Sequence, residues 1–181
     1  MKRAAFLDRD GVINESYIVE GLPRPPLNIG ELIIINGVKE AIHILAKYDF
    51  LPVVITNQPD VSRGTKSADE IIEINKRISE ITGIRHFYTC THDDFNDCIC
   101  RKPRPGLVLQ AARELDIDVS KSFLVGDRWR DIVLGQDLGL KTYFIDYKYL
   151  ELAPKKPYIK VDSLLEAVKD VVRNLDDFQY E

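Results

Sequence analysis

Four short stretches hold side chains able to do chemistry together. They are Asp8 and Asp10 in AAFLDRDGVIN (4–14), Thr56 and Asn57 ending LPVVITN (51–57), Lys102 in CRKPRPG (100–106), and Gly126-Asp127 in SFLVGD (122–127). The two aspartates close an apolar run that reads as a buried strand, and residues i and i+2 of an extended chain face the same side. Two carboxylates so placed repel unless a cation, a shared proton or a reaction makes use of them. Asp127 adds a third, which argues for a hard dication with oxygen ligands, Mg²⁺ before others. Such an ion relieves the repulsion and holds a phosphate oxygen. Lys102 supplies positive charge for the remaining phosphate oxygens, and the Thr56 hydroxyl and nearby backbone N–H groups donate to them. A carboxylate beside a metal-bound phosphate is a nucleophile, giving an aspartyl-phosphate that water cleaves. The second acid protonates the leaving alcohol and later deprotonates the water. Taken singly, each residue has a plainer explanation: a solvated strand end, a strand-end hydroxyl, a surface lysine, an ordinary turn. Taken together they favour phosphoryl chemistry.

A second constellation is CTHDDFNDCIC, residues 90–100. It holds all three cysteines and one of the three histidines, spaced Cys90-x-His92-x5-Cys98-x-Cys100. Three thiolates and an imidazole make a closed tetrahedral Zn²⁺ site with no open position, so the zinc is expected to be structural. The alternatives are redox-active or idle thiols; a disulfide does not suit a cytosolic chain. His43 and His86 are read as structural. The cluster directly precedes Arg101 and Lys102, so a bound metal would stiffen the loop that aims both cations. Neighbours in an extended segment point to opposite sides, which assigns Arg101 and Lys102 different tasks.

The elements that position these residues follow one rhythm of strand and helix. Strands are predicted over Ala4–Leu7, 51–57, RHFYTC (85–90), 122–127 and 141–146. Helices are predicted over Gly37–Tyr48, Ser67–Ile81, Gly106–Leu115, Arg130–Leu138 and Asp162–Leu175. Ser67 and Glu70 form a capping box, Gly139 stops the fourth helix, and Asp162 or Ser163 caps the last. The expected fold is α/β, a Rossmann-like parallel sheet with helices on both faces, in which ligands bind beyond the carboxyl ends of the strands. That rule places Asp8, Asp10, Thr56, Asn57, Cys90, His92, Gly126 and Asp127 in one neighbourhood. With 181 residues, 45% hydrophobic and 30% charged, the chain reads as a single domain, 1–181. A net charge of −4 offers no basic field for nucleic acid or an anionic membrane. With no signal peptide and no apolar membrane span, cytoplasm and a monomer are the expectations. The acidic end RNLDDFQYE (173–181) is expected to fray.

DRDGVIN (8–14), VVITNQ (53–58), RKPRPG (101–106) and VGDRWRD (125–131) occur in the order of the four motifs of haloacid dehalogenase (HAD) superfamily phosphatases. From residue 4 to about residue 146 the chain resembles the capless histidinol-phosphate and heptose-bisphosphate phosphatase branch. The resemblance implies Asp8 as nucleophile, Asp10 as general acid/base, and Thr56 and Lys102 as stabilisers of the phosphoryl group. It implies Mg²⁺ on Asp8, the Asp10 carbonyl and Asp127, with Asp131 orienting its waters. Asp131 read alone is an acid in the first turn of a helix. The same branch carries a zinc loop. Arg101 is assigned to the rest of the substrate, and Asn57 is placed with it. The segments between the motifs are too short for a large cap domain. The proline-bearing loop 15–28 is expected to form one stiff wall of an open crevice, with Arg24 there and Arg63 available to a second anionic group. Pro59-Asp60 stands where the heptose enzymes usually carry Ser-Gly, and Arg128-Trp129 replaces a lysine and a smaller residue. A small phosphorylated metabolite is expected, first a sugar phosphate such as D-glycero-D-manno-heptose 1,7-bisphosphate, then histidinol phosphate. A zinc-bearing binding module and a phosphotransferase are the rival classes, the latter disfavoured because transfer needs water excluded.

The cysteine spacing yields a direct test. Protein purified without chelators, with thiols reduced, should carry close to one zinc per chain, and Cys98→Ser should lower both zinc content and melting temperature. Elemental analysis showing no zinc in the wild type would end the structural-zinc reading.

Overall fold

A strand with no solvent-facing side must be covered twice, and the first strand shows this residue by residue. Ala4 and Phe6 enter one core while Ala5 and Leu7 enter the other, and all four are fully buried. The computed structural model describes residues 1–175. In chain order the strands are β1 (Arg3–Leu7), β2 (Tyr17–Val19), β3 (Leu22–Arg24), β4 (Phe50–Asn57), β5 (His86–Cys90), β6 (Phe123–Gly126), β7 (Lys141–Ile145) and β8 (Ile159–Val161). The helices are α1 (Val38–Lys47), α2 (Ala68–Thr82), α3 (Gly106–Leu115), α4 (Trp129–Asp137) and α5 (Leu164–Arg173).

Six strands form one parallel sheet in the order β5-β4-β1-β6-β7-β8. β4 and β6 flank β1 and repeat its alternation: Val54, Phe123 and Val125 face one core, Val53, Ile55 and Leu124 the other. Helices α1, α2 and α5 cover the first side through Leu45, Ile74, Ile78 and Val168, and α3 and α4 cover the second through Val108, Ala111 and Leu134. The chain runs outward from β1 in both directions, so the strand order reverses there, and loops after β1 and β6 diverge to leave a crevice.

The α/β expectation therefore holds, α3 occupies its predicted span, and the other predicted elements shift by at most two residues at an end. Ser67 and Glu70 make the capping box, Ser163 caps α5, and Gly139 ends α4 in the left-handed region at φ +67°. Details at the helix ends differ. Ala46 is exposed, and Ile81 is only half-buried because Thr82 closes the apolar face, its hydroxyl bonded to the Ile78 carbonyl. The last six residues of the acidic end expected to fray lie outside the described residues.

The wall expected from the proline-bearing loop is a hairpin. β2 and β3 pair antiparallel, joined by Glu20 and Gly21, both at positive φ (52° and 76°). That is the backbone of a two-residue turn matched to strand twist. Beyond it come a short 3-10 turn (Ile29–Glu31) and α1, and no cap domain intervenes before β4 among the described residues. Lys66 donates to the Pro26 carbonyl and ties the base of this wall to the segment before α2.

The Ser67 cap is exposed and separable from the core, which makes it a clean probe. Ser67→Ala removes both the Glu70 N–H acceptor and half the box, and should cost about 1 kcal/mol in urea unfolding with an unchanged slope. An unchanged midpoint would show that α2 is held by packing alone.

Candidate active site

The crevice at the ends of β1, β4 and β6 holds a cavity of about 350 Å³ whose lining includes Asp8, Asp10, Lys102, Asp127 and Asp131. Lys102 is the central charge. It is 2% exposed, and its Nζ lies 2.8 Å from Asp8 Oδ1 and 2.7 Å from Asp131 Oδ1. Burial opposes that ammonium, but Asp131 and Asp8 outweigh it and hold Lys102 well above the usual lysine range. One lysine does not balance three acids. Burial first, then the Asp131 charge, push Asp8 up to about 7 against the pull of Lys102. Burial first, then the Asp8 and Asp131 charges, push Asp127 well up too. Carboxylate oxygens of Asp8, Asp127 and Asp131 lie within 4.8 Å of one another. Glycines permit this crowding: a Cβ on Gly11, at φ +86°, would fall 2.0 Å from Asp127 Oδ2, and one on Gly126 would fall 2.2 Å from Asp131 Cβ.

Asp10 reaches the cavity by a different route from the one its spacing suggests. β1 ends at Leu7, so Asp8 and Asp10 lie in a bend rather than in an extended chain. Arg9, between the two acids, folds back on Asp10 with both guanidinium ends engaged, Nη2 3.0 Å from Oδ2 and Nη1 bonded to Asn75. It is fully buried, and a guanidinium without water must find carboxylate or carbonyl partners. Asn14 and Gln58 donate to the other faces of the Asp10 carboxylate at 2.9 and 2.7 Å. Gln58 also donates to Thr56 Oγ1 at 2.9 Å. Thr56 is buried and is not among the cavity-lining residues, in contrast to the phosphate contact expected of its hydroxyl.

Two further residues depart from expectation. Asn57 was read as contacting substrate, but its amide is used on the protein: Nδ2 donates to the Lys102 carbonyl at 3.1 Å and Oδ1 accepts from the Lys102 N–H at 3.0 Å. Asn57 lines the cavity while clamping the backbone that carries the lysine. Residues 101–103 form a bend and turn, not an extended segment, yet Arg101 and Lys102 still diverge. Arg101 lies at the rim, bonded to Asp94 at 2.8 Å and to the His92 carbonyl. Arg24, Arg63, Arg128 and Arg130 join it there. Asp93 pairs with Arg63, Asp94 also with Arg130, and Glu151 with Arg128.

Cys90 and His92 are not in this cavity. With Cys98 and Cys100 they form a separate group whose ligand atoms all lie within 4.8 Å of one another. The nearest approaches, 3.2 Å for Cys100–Cys90 and His92–Cys100 and 3.7 Å for Cys90–Cys98, fall somewhat short of the roughly 3.8 Å between thiolates on a tetrahedral ion. All three cysteines are free of disulfides.

Three comparisons bear on this geometry. A family model described as HAD-hydrolase-like matches residues 99–167. The D-glycero-β-D-manno-heptose-1,7-bisphosphate 7-phosphatase of Pasteurella multocida is 36% identical over 78% of this chain and 80% of its own. The Vibrio cholerae enzyme of the same name is 30% identical over 98% and 96% of the two chains. This chain belongs to the heptose-bisphosphate phosphatase family of HAD-like hydrolases. The fold agrees: the D,D-heptose 1,7-bisphosphate phosphatase of B. bronchiseptica, solved with magnesium and phosphate, superposes with a TM-score of 0.82 at 24% identity, covering 94% of this chain and 98% of that one.

In this HAD member the acidic group suits a dication on its own terms. Asp127 is 1% exposed and its Oδ1 has no hydrogen-bond partner, an arrangement that leaves a buried carboxylate oxygen for a cation. Asp131 differs: Oδ1 meets Lys102 and Oδ2 accepts the Arg128 N–H at 3.1 Å, which leaves it better placed to orient than to ligate. Arg9, Asn14 and Gln58 escaped the reading of sequence. Arg9 lay between the two acids, and its full burial was the signal no pattern could supply.

The Asn57 clamp predicts a loss confined to turnover. Asn57→Ala should lower kcat by about tenfold or more through a misplaced Lys102, with KM within about threefold of wild type. Steady-state kinetics showing a raised KM at unchanged kcat would instead restore Asn57 to substrate contact.

Proposed function

We propose that this HAD phosphatase removes the 7-phosphate from D-glycero-D-manno-heptose 1,7-bisphosphate, with Mg²⁺ at the acidic group and structural Zn²⁺ in the Cys-His loop. The observation that carries the reading is the charge layout of one open cavity. Acids and Lys102 form its floor, and Arg24, Arg63, Arg101, Arg128 and Arg130 ring its mouth. Such a layout suits a substrate with one phosphate to be cleaved and a second anion to be held. The names of the relatives in Pasteurella multocida and Vibrio cholerae support the same substrate. Histidinol phosphate would bring an ammonium to a rim of guanidinium groups, and fits less well.

In this reading an Asp8 carboxylate oxygen attacks phosphorus as the bond from phosphorus to the sugar oxygen breaks. Protonated Asp10 delivers its proton to that oxygen, and the sugar leaves as an alcohol. Asp10, now a carboxylate, takes a proton from water whose oxygen attacks the phosphorus of the aspartyl-phosphate. Inorganic phosphate departs and Asp8 is restored. Lys102 faces the phosphoryl charge common to both steps, while Thr56 accepts from the Gln58 amide that holds Asp10. Mg²⁺, held by Asp8, the Asp10 carbonyl and Asp127 with Asp131 beside them, would neutralise nucleophile and phosphate so that the two anions can meet. Arg9 keeps Asp10 fixed through both proton transfers. We further place the chain in the cytoplasm as a single-domain monomer. Its free thiols support that compartment, and no helix among the described residues is long and apolar enough to cross a membrane.

Phosphate release from heptose 1,7-bisphosphate, heptose 7-phosphate and histidinol phosphate, with Mg²⁺, tests the proposal. The bisphosphate should show the highest kcat/KM, and Arg101→Ala should erode that lead while Lys102→Ala depresses all three alike. A higher kcat/KM for histidinol phosphate, or equal losses on every substrate for Arg101→Ala, would overturn the sugar assignment.

A further inference from the structure

The segment between β7 and β8 has neither helix nor strand, yet several of its residues bond to the loops that border the crevice. The Tyr147 hydroxyl donates to the Gly11 carbonyl at 3.1 Å, and the Tyr149 hydroxyl donates to Asp127 Oδ2 at 2.8 Å. The Leu150 N–H donates to the Gly21 carbonyl at 2.8 Å, and Glu151 pairs with Arg128. The two tyrosine rings stack with centroids 5.5 Å apart and planes 25° from parallel. The pair thus grips both loops that border the acidic group, one at Gly11 after β1 and one at Asp127 after β6.

Asp127 shows what this grip does. Its side chain is buried, one oxygen is occupied by Tyr149, and the other has no hydrogen-bond partner. Gly11 backs the occupied oxygen so closely that no side chain fits between them. We propose that Tyr149 is a positioning residue of the divalent-cation site: by occupying Asp127 Oδ2 it leaves Oδ1 as the single oxygen offered to the ion, and so favours Mg²⁺ over Ca²⁺. This rests on the cation reading of the acidic group. Mg²⁺ demands near-ideal octahedral geometry, which a one-oxygen carboxylate ligand suits. Ca²⁺ accepts two oxygens of one carboxylate and irregular angles. A hydrogen-bonded ligand also keeps its orientation when the ion leaves, which lowers the cost of rebinding.

The test is a titration of Mg²⁺ and of Ca²⁺ into zinc-loaded protein without substrate, by calorimetry, for wild type, Tyr149→Phe and Tyr147→Phe. Phenylalanine keeps the stacked ring and removes only the hydroxyl. Tyr149→Phe should weaken Mg²⁺ by about tenfold or more and Ca²⁺ by less, so that the Mg²⁺/Ca²⁺ preference falls by at least about fivefold. Tyr147→Phe should leave that preference within twofold. Activity of Tyr149→Phe should return to near the wild-type kcat when Mg²⁺ is raised to saturation. Unchanged Mg²⁺ affinity, or equal loss of both ions, would overturn the role of Tyr149 while leaving the phosphatase reading intact. A wild type that binds neither ion would overturn the cation reading and this inference together.

Discussion

A buried lysine between two buried carboxylates is the constraint around which the rest is arranged. Lys102 meets Asp8 and Asp131 at 2.8 and 2.7 Å with almost no solvent to share the charge. Removing one member of such a set strands the others, at a cost of roughly 3–5 kcal/mol. The ammonium must therefore arrive at one point from a turn after the thiol loop. Asn57 fixes that turn from the end of β4. Asp131 reaches it from the first turn of α4, where Gly126 leaves room, and Asp8 from the end of β1. Three strands, one helix and one turn converge on a single charge. The remaining negative charge, centred on Asp127, is what the geometry leaves for a cation.

Much of this was legible in the sequence because the signals were local. Runs such as AAFL and VVIT have no alternation and so announce a sheet covered on both sides. The capping box at Ser67 and the glycine at 139 mark helix ends by their own chemistry. Asp8 and Asp127 were found because the strand-end rule gathers polar residues from distant stretches, and Lys102 because phosphoryl chemistry needs a cation beside them. The cysteine group was found by spacing, though it forms its own cluster rather than joining the crevice.

What was not legible depended on partners distant in sequence. The hairpin β2–β3 turns on Glu20-Gly21, not the Asn-Gly or Asp-Gly that advertise such turns, and all of β2 is exposed, so no burial pattern betrays it. β8 is three residues long and mostly exposed at the sheet edge. Arg9 lies past the end of β1, so strand alternation says nothing of where it points. Asn57 and Lys102 lie 45 residues apart, and nothing in either stretch tells that one amide reads the other's backbone. Tyr147 and Tyr149 sit in a segment with no periodicity at all.

Cys90 is the last residue of β5 and serves two masters. Its thiol belongs to the Cys-His group, and its carbonyl accepts the Gln58 N–H at 2.7 Å. Gln58 in turn holds Asp10 and Thr56. One peptide thus joins the Cys-His group to the residues that hold Asp10. Chemical ageing of this protein therefore has a preferred order. Oxidants attack thiols well before they trouble carboxylates, and slack at Cys90 passes through one hydrogen bond to the groups that grip the acid. With the proposed zinc in place, preparations left in air would fade in activity while still looking folded, and a reductant with added zinc would bring them back.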